Sequence, residues 1–423
     1  MSASNFQRVT RLATMTAVHR AFYWLHLHQP QVRRWLLEAV RIPAPPFGEQ
    51  QRAAWFLERF RELGLTEAHI DGEGNVLGEI APDDPSPDGP VILVSAHLDT
   101  VFPEGTDCQP SEEEGTRRIL GPGVCDNAAG LSALLALAAA LRFARINPPS
   151  TILFAANVGE EGEGDLRGMR YLFNSRYGNR IAAAIALEGS GTSTVVTSGL
   201  GSMRFRITLT GPGGHSWSDA GTPNPILLLS SALAEIGMLP LSNDPLTTLN
   251  VGYISGGTSV NSIPSSATAL VELRSTSSAP MHKTAEIVRR ILENTVAPYA
   301  ALAAPITLHI DAIGDRPAAA LPIRSTLLAA LHSVDRHLNL VTEQRLGSTD
   351  ANLPLSLGVP ALAIGTGGFG GSIHTLDEWY DPTGRETALR RILLLLLTCT
   401  QIAPQLALEA ASRGSDAAVH STP

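Results

Sequence analysis

The chain has 423 residues, of which 44% are hydrophobic and 17% are charged. This is the composition of a globular protein, and the length exceeds what one hydrophobic core usually holds, so we expect several domains. A formal net charge of −9 argues against a nucleic-acid partner. Three cysteines give no disulfide framework, and the apolar runs are too short to cross a bilayer. The expected location is therefore the cytoplasm, with no membrane partner.

The first part of the chain is predicted to be helical. Residues 1–30 read as an added helical arm, and a helix is expected near residues 31–40. Residues 52–63 have the apolar spacing of an amphipathic helix, between turns at 43–47 and 83–90.

Further along, short apolar runs alternate with helical patterns such as residues 128–142. The runs that read as strands are 91–96, 151–157, 183–187 and 360–364. This alternation predicts an α/β catalytic domain, a mixed and mostly parallel sheet with helices on both faces. We assign residues 31–201 and 314–404 to it, and residues 405–423 to a polar tail.

Residues 202–313 have a different pattern, in which strand-like segments outnumber helical ones. The expected strands are 203–210, 246–254, 268–273 and 306–311, and the expected helices are 225–238 and 282–296. Four strands with two helices predict an α+β sandwich inserted into the catalytic domain. We expect its strand edge to form a dimer interface.

Imidazoles and carboxylates follow the predicted strands of the catalytic domain. His97 follows the first strand, Glu160 and Glu161 the second, Glu188 the third, and His374 lies in a glycine-rich loop after the fourth. In such sheets ligands bind outside the carboxyl ends of the strands, so we expect these side chains to converge. A set of nitrogen and oxygen ligands without cysteine suits zinc and, less selectively, manganese or cobalt.

Asp126 lies in a tight turn that opens onto the helix at 128–142. One carboxylate at such a turn can bridge two cations about 3.5–4 Å apart that share a hydroxide, the arrangement of two-metal hydrolases. One of Glu160 and Glu161 would then be a ligand and the other a general base, and the residue types alone do not decide which. Asp99 has the right type to accept the second ring N–H of His97 and so fix its tautomer.

These motifs resemble those of a known family. From about Trp35 to Ala403 the chain is similar to the zinc-dependent exopeptidases and deacylases, which include glutamate carboxypeptidase, aminoacylase, acetylornithine deacetylase, succinyl-diaminopimelate desuccinylase and tripeptidase T. The matching positions are His97-Leu98-Asp99, Asp126-Asn127, Gly159-Glu160-Glu161-Gly162, Glu188 and His374.

The resemblance implies a role for each residue. Glu160 would be the general base and Glu161 a ligand, and the peptide bond after Asp126 would be cis. One metal would take His97, Asp126 and Glu188, and the other Asp126, Glu161 and His374. Family members carry Asp or Glu at the position of Glu188, and Glu occurs in the deacylases named above, which favours deacylation weakly.

The inserted segment resembles the same family's lid and dimerisation domain. The matching stretches are residues 211–216 and 256–264, with an arginine at 274. The resemblance implies a homodimer in which His215 reaches across to stabilise the developing oxyanion. It also implies that Asn261 and Arg274 hold the carboxylate of the substrate, for which the fixed donor fork of arginine is suited.

The glycine-rich loop at residues 365–370 fits G-x-G-x-x-G but is not followed by a helix, so it is a weak dinucleotide signal. We interpret it as a flexible active-site loop whose backbone approaches the substrate, with Gly367 as the candidate contact. Cys125, beside Asp126, is expected to be a small residue packed under the metal site.

The sequence therefore predicts a two-metal amidohydrolase or metallopeptidase that uses two divalent ions, zinc in the first place. It would cleave the amide of a small peptide or an N-acyl amino acid with a metal-bridging water activated by Glu160. A tripeptidase-like aminopeptidase is the alternative. A remoter alternative is a binding protein that keeps the fold without catalysis, and the intact Glu160 argues against it.

Overall fold

The structure is a computed structural model that describes residues 2–301 and 306–419. In these residues the α-helices, in chain order, are α1 (Ser2–Ala13), α2 (Thr16–Leu27), α3 (Gln29–Val40), α4 (Gln50–Glu62), α5 (Ala128–Ala144), α6 (Arg167–Phe173), α7 (Pro225–Gly237), α8 (Ser278–Val296), α9 (Thr326–Leu338), α10 (Asn352–Ser356), α11 (Arg385–Gln401) and α12 (Ala403–Val419).

The strands of the same residues are β1 (Thr66–Ile70), β2 (Val76–Ile80), β3 (Val91–His97), β4 (Ser111–Glu112), β5 (Ile119–Leu120), β6 (Thr151–Asn157), β7 (Ile181–Leu187), β8 (Thr194–Gly199), β9 (Gly201–Thr210), β10 (Gly214–His215), β11 (Thr247–Gly256), β12 (Ser262–Ile263), β13 (Ser266–Ser275), β14 (Thr307–Arg316), β15 (Ala319–Ala320), β16 (Glu343–Gly347), β17 (Ala361–Ile364), β18 (Phe369–Gly371) and β19 (Trp379–Asp381). The chain divides into a larger unit, up to Gly199 and from Ala320 onward, and an inserted unit, Leu200–Ala319.

The larger unit is built on a mixed sheet with the strand order β1-β2-β6-β3-β7-β17-β8-β15, and β16 pairs with β8. Its centre is parallel, since β3 runs parallel to β6 and β7, and β7 runs parallel to β17. β2 and β8 are antiparallel to their central neighbours β6 and β17. The carboxyl ends of the four central strands therefore share one edge, as the sequence predicts, and the expected α/β fold class is confirmed.

Helix α5 is apolar on all sides and is buried along nearly its whole length. It packs against β3, β6 and β7 and is covered by α2 and α3. A helix that is hydrophobic on all sides must be buried on all sides. The N-terminal helices bury the remaining face of α5, and their own residues Val18, Leu25 and Leu36 are buried. The expected arm at residues 1–30 is thus, in its described residues, a packed layer of the larger unit.

The polar tail expected at residues 405–423 needs a correction. The chain remains helical to Val419 in α12, and residues 420–423 lie outside the described residues. The first two turns of this helix are packed on the larger unit, since Leu406 is fully buried and Glu409 accepts a hydrogen bond from the Thr326 N–H at the start of α9 (2.8 Å). None of the described helices is long and apolar enough to span a membrane alone. α11 and the first part of α12 reach that length only together, across a bend of 77°.

The inserted unit contains an antiparallel sheet with the order β11-β13-β9-β14, against which α7 and α8 pack. Alternate residues of β13, from Ala267 to Leu273, are buried beneath these helices, which is the period of a half-buried strand. The sequence placed this domain at residues 202–313. The unit extends further at both ends because β14 continues to Arg316, which pairs with Ser202 of β9.

Candidate metal centre

The predicted ligands are delivered by the strand ends of the larger unit. His97 is the last residue of β3, and Glu188 directly follows β7. Glu160 and Glu161 come three and four residues after the end of β6, and His374 follows the short strand β18, ten residues beyond the end of β17. Because these strands are parallel neighbours, their carboxyl ends bring the side chains to one edge of the sheet.

The first ligand group consists of His97, Asp126 and Glu188. The Nε2 atom of His97 lies 3.0 Å from Asp126 Oδ1 and 3.4 Å from Glu188 Oε1. One ligand atom from each of the three residues lies within 4.8 Å of the others. The imidazole of His97 is buried, with 1% of its side chain exposed, so its position is fixed by packing.

The second ligand group consists of Asp126, Glu161 and His374. The Nε2 atom of His374 lies 3.0 Å from Asp126 Oδ2 and 3.1 Å from Glu161 Oε1. Asp126 therefore offers one oxygen to each group, as the sequence predicts. Glu160 lies beside both groups, since ligand atoms of His97, Glu160 and Glu161 also fall within 4.8 Å of one another.

The donor set fits divalent cations. Two imidazole nitrogens and several carboxylate oxygens, without a cysteine ligand, are the ligands of zinc and, less selectively, of manganese and cobalt. Within the described residues, Glu188 Oε2 is buried and accepts no hydrogen bond. A buried carboxylate oxygen is costly to leave without a donor, and a cation at this position would satisfy it.

The charges of the site stabilise one another. Hydrogen bonds to Asp126 and Glu161 raise the pKa of His374 to about 10. Burial would raise the pKa of Asp126, but the hydrogen bonds from His374 and His97 outweigh it and hold this pKa well below its usual range. Burial also raises the pKa of Glu188 to about 7. A metal that binds here must displace one proton from each protonated imidazole, because an imidazole binds a metal only in its neutral form.

Asp99 acts differently from the sequence expectation. The backbone oxygen of Asp99, and not its carboxylate, lies at hydrogen-bond distance from His97 Nδ1 (3.0 Å), whereas Oδ1 is 3.7 Å away. The carboxylate accepts the backbone N–H groups of Glu160 (3.0 Å) and Glu161 (2.7 Å) instead. The reason is that the turn after β6 places these two N–H groups closer to the carboxylate. Asp99 thus positions both His97 and the two glutamates.

Asn127 fixes the turn that carries Asp126. The peptide bond between these two residues is cis, as the family resemblance implies. Asn127 Oδ1 accepts the N–H of Gly130 and caps α5. Its Nδ2 donates to the Leu187 carbonyl (2.9 Å), at the end of β7. Asp126 is therefore anchored both to a helix start and to the strand that precedes Glu188.

Sequence reasoning missed Glu378, a fully buried carboxylate four residues after His374. It accepts the backbone N–H groups of Gly123, Cys125 and Asp126. Burial raises the pKa of Glu378 to about 7, although these three N–H groups favour the charged form. The only local sign is an acidic residue followed by Trp379 and Tyr380, and this does not reveal what the carboxylate contacts.

Within the inserted unit, the two-stranded antiparallel sheet of β10 and β12 brings His215 and Asn261 together. His215 pairs with Ser262, and the Asn261 carbonyl accepts the N–H of Ser216 (3.0 Å). His215 is exposed, and its Nδ1 lies 3.2 Å from the Trp217 N–H, which donates to it. With Nδ1 as acceptor, a neutral His215 carries its proton on Nε2 and presents a donor.

Arg274 lies on the sheet of the inserted unit, at the end of β13. Its Nε and Nη2 atoms donate to the two carboxylate oxygens of Glu272 (2.9 and 3.0 Å). Glu272 also accepts from Arg204 Nε at 2.9 Å. Arg274 therefore has a carboxylate partner inside its own unit, and any carboxylate of a substrate would compete with that pair or use the remaining donors.

The structure corrects the interpretation of Gly367. This glycine is buried, its N–H donates to the Gly191 carbonyl, and its own carbonyl accepts from the Tyr380 hydroxyl. With φ +92, a Cβ atom here would lie 2.6 Å from Arg385 Cα at the start of α11. A glycine is needed at this position because the backbone packs closely against α11. This packing accounts for Gly367 without a contact to substrate. Cys125 is buried as expected, and burial raises the pKa of its thiol to about 12.

Residues 93–398 match the sequence profile of the peptidase family M20/M25/M40, and the chain belongs to this family. It is 29% identical over 228 residues to a protein of Aspergillus flavus described as a probable carboxypeptidase. That match covers 50% of this chain and 52% of the fungal protein, so the chain spans about half the length of this curated relative.

Among the solved structures of similar fold are two bacterial peptidases. Aminopeptidase PepT from Bacillus cereus is 20% identical, with a TM-score of 0.69 over 88% of this chain and 98% of that one. The YXEP protein of Bacillus subtilis, described as a dinuclear metal-binding peptidase, is 16% identical, with a TM-score of 0.62 over 88% and 98%. At these identities the likeness concerns the fold alone.

Proposed function

We propose that this chain is a two-metal hydrolase that cleaves the amide bond of a small peptide or an N-acyl amino acid. One observation carries the proposal: the carboxylate of Asp126 contacts both imidazoles, with one oxygen each, and a glutamate pair lies beside it. Membership of a peptidase family supports the reaction type. We further propose zinc as the metal, with cobalt or manganese as substitutes.

In the proposed reaction the protein holds and moves one proton. Two divalent cations held by the two ligand groups would lower the pKa of the attacking water and polarise the substrate carbonyl. Glu160 accepts a proton from the attacking water as the new C–O bond forms. It returns this proton to the leaving nitrogen as the C–N bond breaks, so that an acid and an amine result. Asp99 keeps Glu160 in place through the backbone N–H bond of that residue.

We propose that the inserted unit forms a homodimer. Strand β11 is an edge strand of its sheet in the described residues, and Tyr253 and Ile254 on it are 51% and 52% exposed. Leu227 and Trp217 are 68% and 86% exposed in the same unit. An edge strand with exposed apolar side chains is a surface suited to pairing with another copy. The Nε2 donor of His215 would then serve the oxyanion of the neighbouring subunit.

The substrate class is tested with a panel of compounds. The purified chain, supplied with zinc, cobalt or manganese, is incubated with N-acyl amino acids, dipeptides and tripeptides that have free or blocked ends. We expect release of an amino acid from substrates that carry a free carboxylate beside the scissile amide, because Arg274 and Asn261 are proposed to hold it. Activity that requires a free amino end would identify an aminopeptidase instead. No turnover of any compound by the metal-loaded chain would refute the proposed function.

The dimer proposal predicts complementation between inactive subunits. We expect His215→Ala and Glu160→Gln to be nearly inactive as separate homodimers. Mixed dimers contain one site with both residues intact, and they should regain up to roughly a quarter to half of the wild-type rate, depending on the extent of subunit exchange. The measurement is activity against the mixing ratio.

The control is Ser216→Ala, a change at the exposed neighbour of His215 that keeps the backbone N–H bond of residue 216 to the Asn261 carbonyl and should not need complementation. Subunit exchange is verified by a mass tag on one variant. An active monomer, or proven exchange without recovery of activity, would show that His215 acts within its own chain or has no catalytic role.

A further inference from the structure

Glu378 joins two segments that carry ligands of the same metal. It lies four residues after His374, and its N–H donates to the Thr375 carbonyl within that loop (3.2 Å). Its carbonyl accepts the N–H of Gly121 (2.9 Å), and its neighbour Trp379 pairs with Leu120 of β5. The segment that carries His374 is therefore bonded through its backbone to the turn that leads to Asp126.

The carboxylate of Glu378 continues this connection into the turn itself. Oε2 accepts the N–H of Gly123 at 3.0 Å, and Oε1 accepts those of Cys125 and Asp126 at 2.8 Å each. These three bonds use both oxygens of one fully buried side chain. Three backbone N–H groups that point at one carboxylate fix the orientation of the peptide units that precede and carry Asp126.

An amide cannot replace this carboxylate. Glutamine has one carbonyl oxygen, and its other end is an NH2 group that only donates. Whichever way the amide is turned, at least one backbone N–H of the turn faces another donor. The turn must then shift, and Asp126 shifts with it, because Asp126 donates one of the three bonds.

From these contacts we infer that Glu378 is a positioning residue for the metal pair. It holds Asp126 at the position relative to His374 that a shared metal requires. This inference rests on the proposed metal site. Residues that orient metal ligands without binding the metal change metal affinity or activity by about 10–100-fold when they are replaced. The expected effect of losing Glu378 is therefore on metal binding first and on turnover only through it.

The test is the metal affinity of Glu378→Gln, measured for zinc by competition with a chelator of known affinity. We expect the affinity to fall by about 10–100-fold relative to the wild-type chain. Excess zinc should restore most of the kcat on an active substrate, because Glu160 and the ligands remain. A purely structural role would lower the unfolding temperature without this dependence on metal concentration.

The matched control is Asp71→Asn. Asp71 Oδ1 also accepts three backbone N–H groups, from Glu73, Gly74 and Asn75, in the loop between β1 and β2. None of these residues belongs to a ligand group. We expect Asp71→Asn to lower stability, because the NH2 of the new amide would face either these N–H groups or the side-chain NH2 of Asn75, which donates to Asp71 Oδ2 (2.7 Å). Zinc affinity should stay within about twofold of the wild type.

The outcomes separate this inference from the proposed function. A wild-type chain that binds no divalent metal refutes the proposed function. A wild-type chain that binds zinc, together with a folded Glu378→Gln variant of equal affinity, overturns the role of Glu378 alone. If Glu378→Gln does not fold, Glu378→Asp is measured instead, since its shorter carboxylate cannot reach all three N–H groups, and unchanged affinity in that variant also overturns the inference.

Discussion

Replacing Glu160 with glutamine is expected to lower kcat by at least ~10²-fold and to leave two metals bound per chain. Glutamine has nearly the same shape but cannot accept a proton from water. The backbone N–H of residue 160 still bonds to Asp99, so the turn should keep its position. Steady-state rates and metal content per chain, measured on the same preparation, test both parts of the expectation.

Glu163→Gln is the control for this experiment. Glu163 is an exposed residue of the same turn, and it belongs to none of the ligand groups. Its replacement should change kcat by less than about twofold, as is usual for surface substitutions. A Glu160→Gln variant with a near-normal rate, or one that has lost metal, would mean that the base is assigned wrongly.

Removal of the metals is expected to abolish activity, and zinc, cobalt or manganese should restore it. The two ligand groups share only Asp126, so the histidines should have separate effects. His97→Ala should lose metal from the group that contains Glu188, and His374→Ala from the group that contains Glu161. Metal content per chain should fall from about two towards one in each variant, the stoichiometry expected of a two-metal site.

His332→Ala is the matched control, because His332 is an exposed histidine on α9 of the same unit and belongs to no ligand group. It should retain both metals and full activity. Full turnover in a sample shown to contain no metal would refute the metal-dependent mechanism, whatever the variants do.

That the candidate ligands lie together could be predicted because of how parallel strands are arranged. Each run of buried residues ends at the same edge of the sheet, so a polar residue directly after it, such as His97 or Glu188, lies at that edge. Asp126 was predictable from a turn with glycines in front of a helix. These signals are local in sequence. They predict a common site because parallel strands end at the same edge of the sheet.

Other features depend on contacts between distant segments, which have no local pattern. The carboxylate of Asp99 bonds to the backbone of residues 160 and 161, and Glu378 bonds to the backbone of residues 123, 125 and 126. Backbone N–H groups are the same in every residue except proline, so a sequence does not show which carboxylate they will meet. The strands β4, β5, β18 and β19 are two or three residues long, too short for any period to show.

The helices that pack over α5 determine where a recombinant fragment of the chain can begin. The stretch that matches the family profile begins at residue 93, yet one face of α5 is closed by α2 and α3, which precede it. A fragment that starts at the matched stretch would expose a helix made almost wholly of alanine and leucine, and such a surface promotes aggregation. The region that carries the catalytic pattern is therefore smaller than the region that must fold, and a recombinant fragment has to include the N-terminal helices.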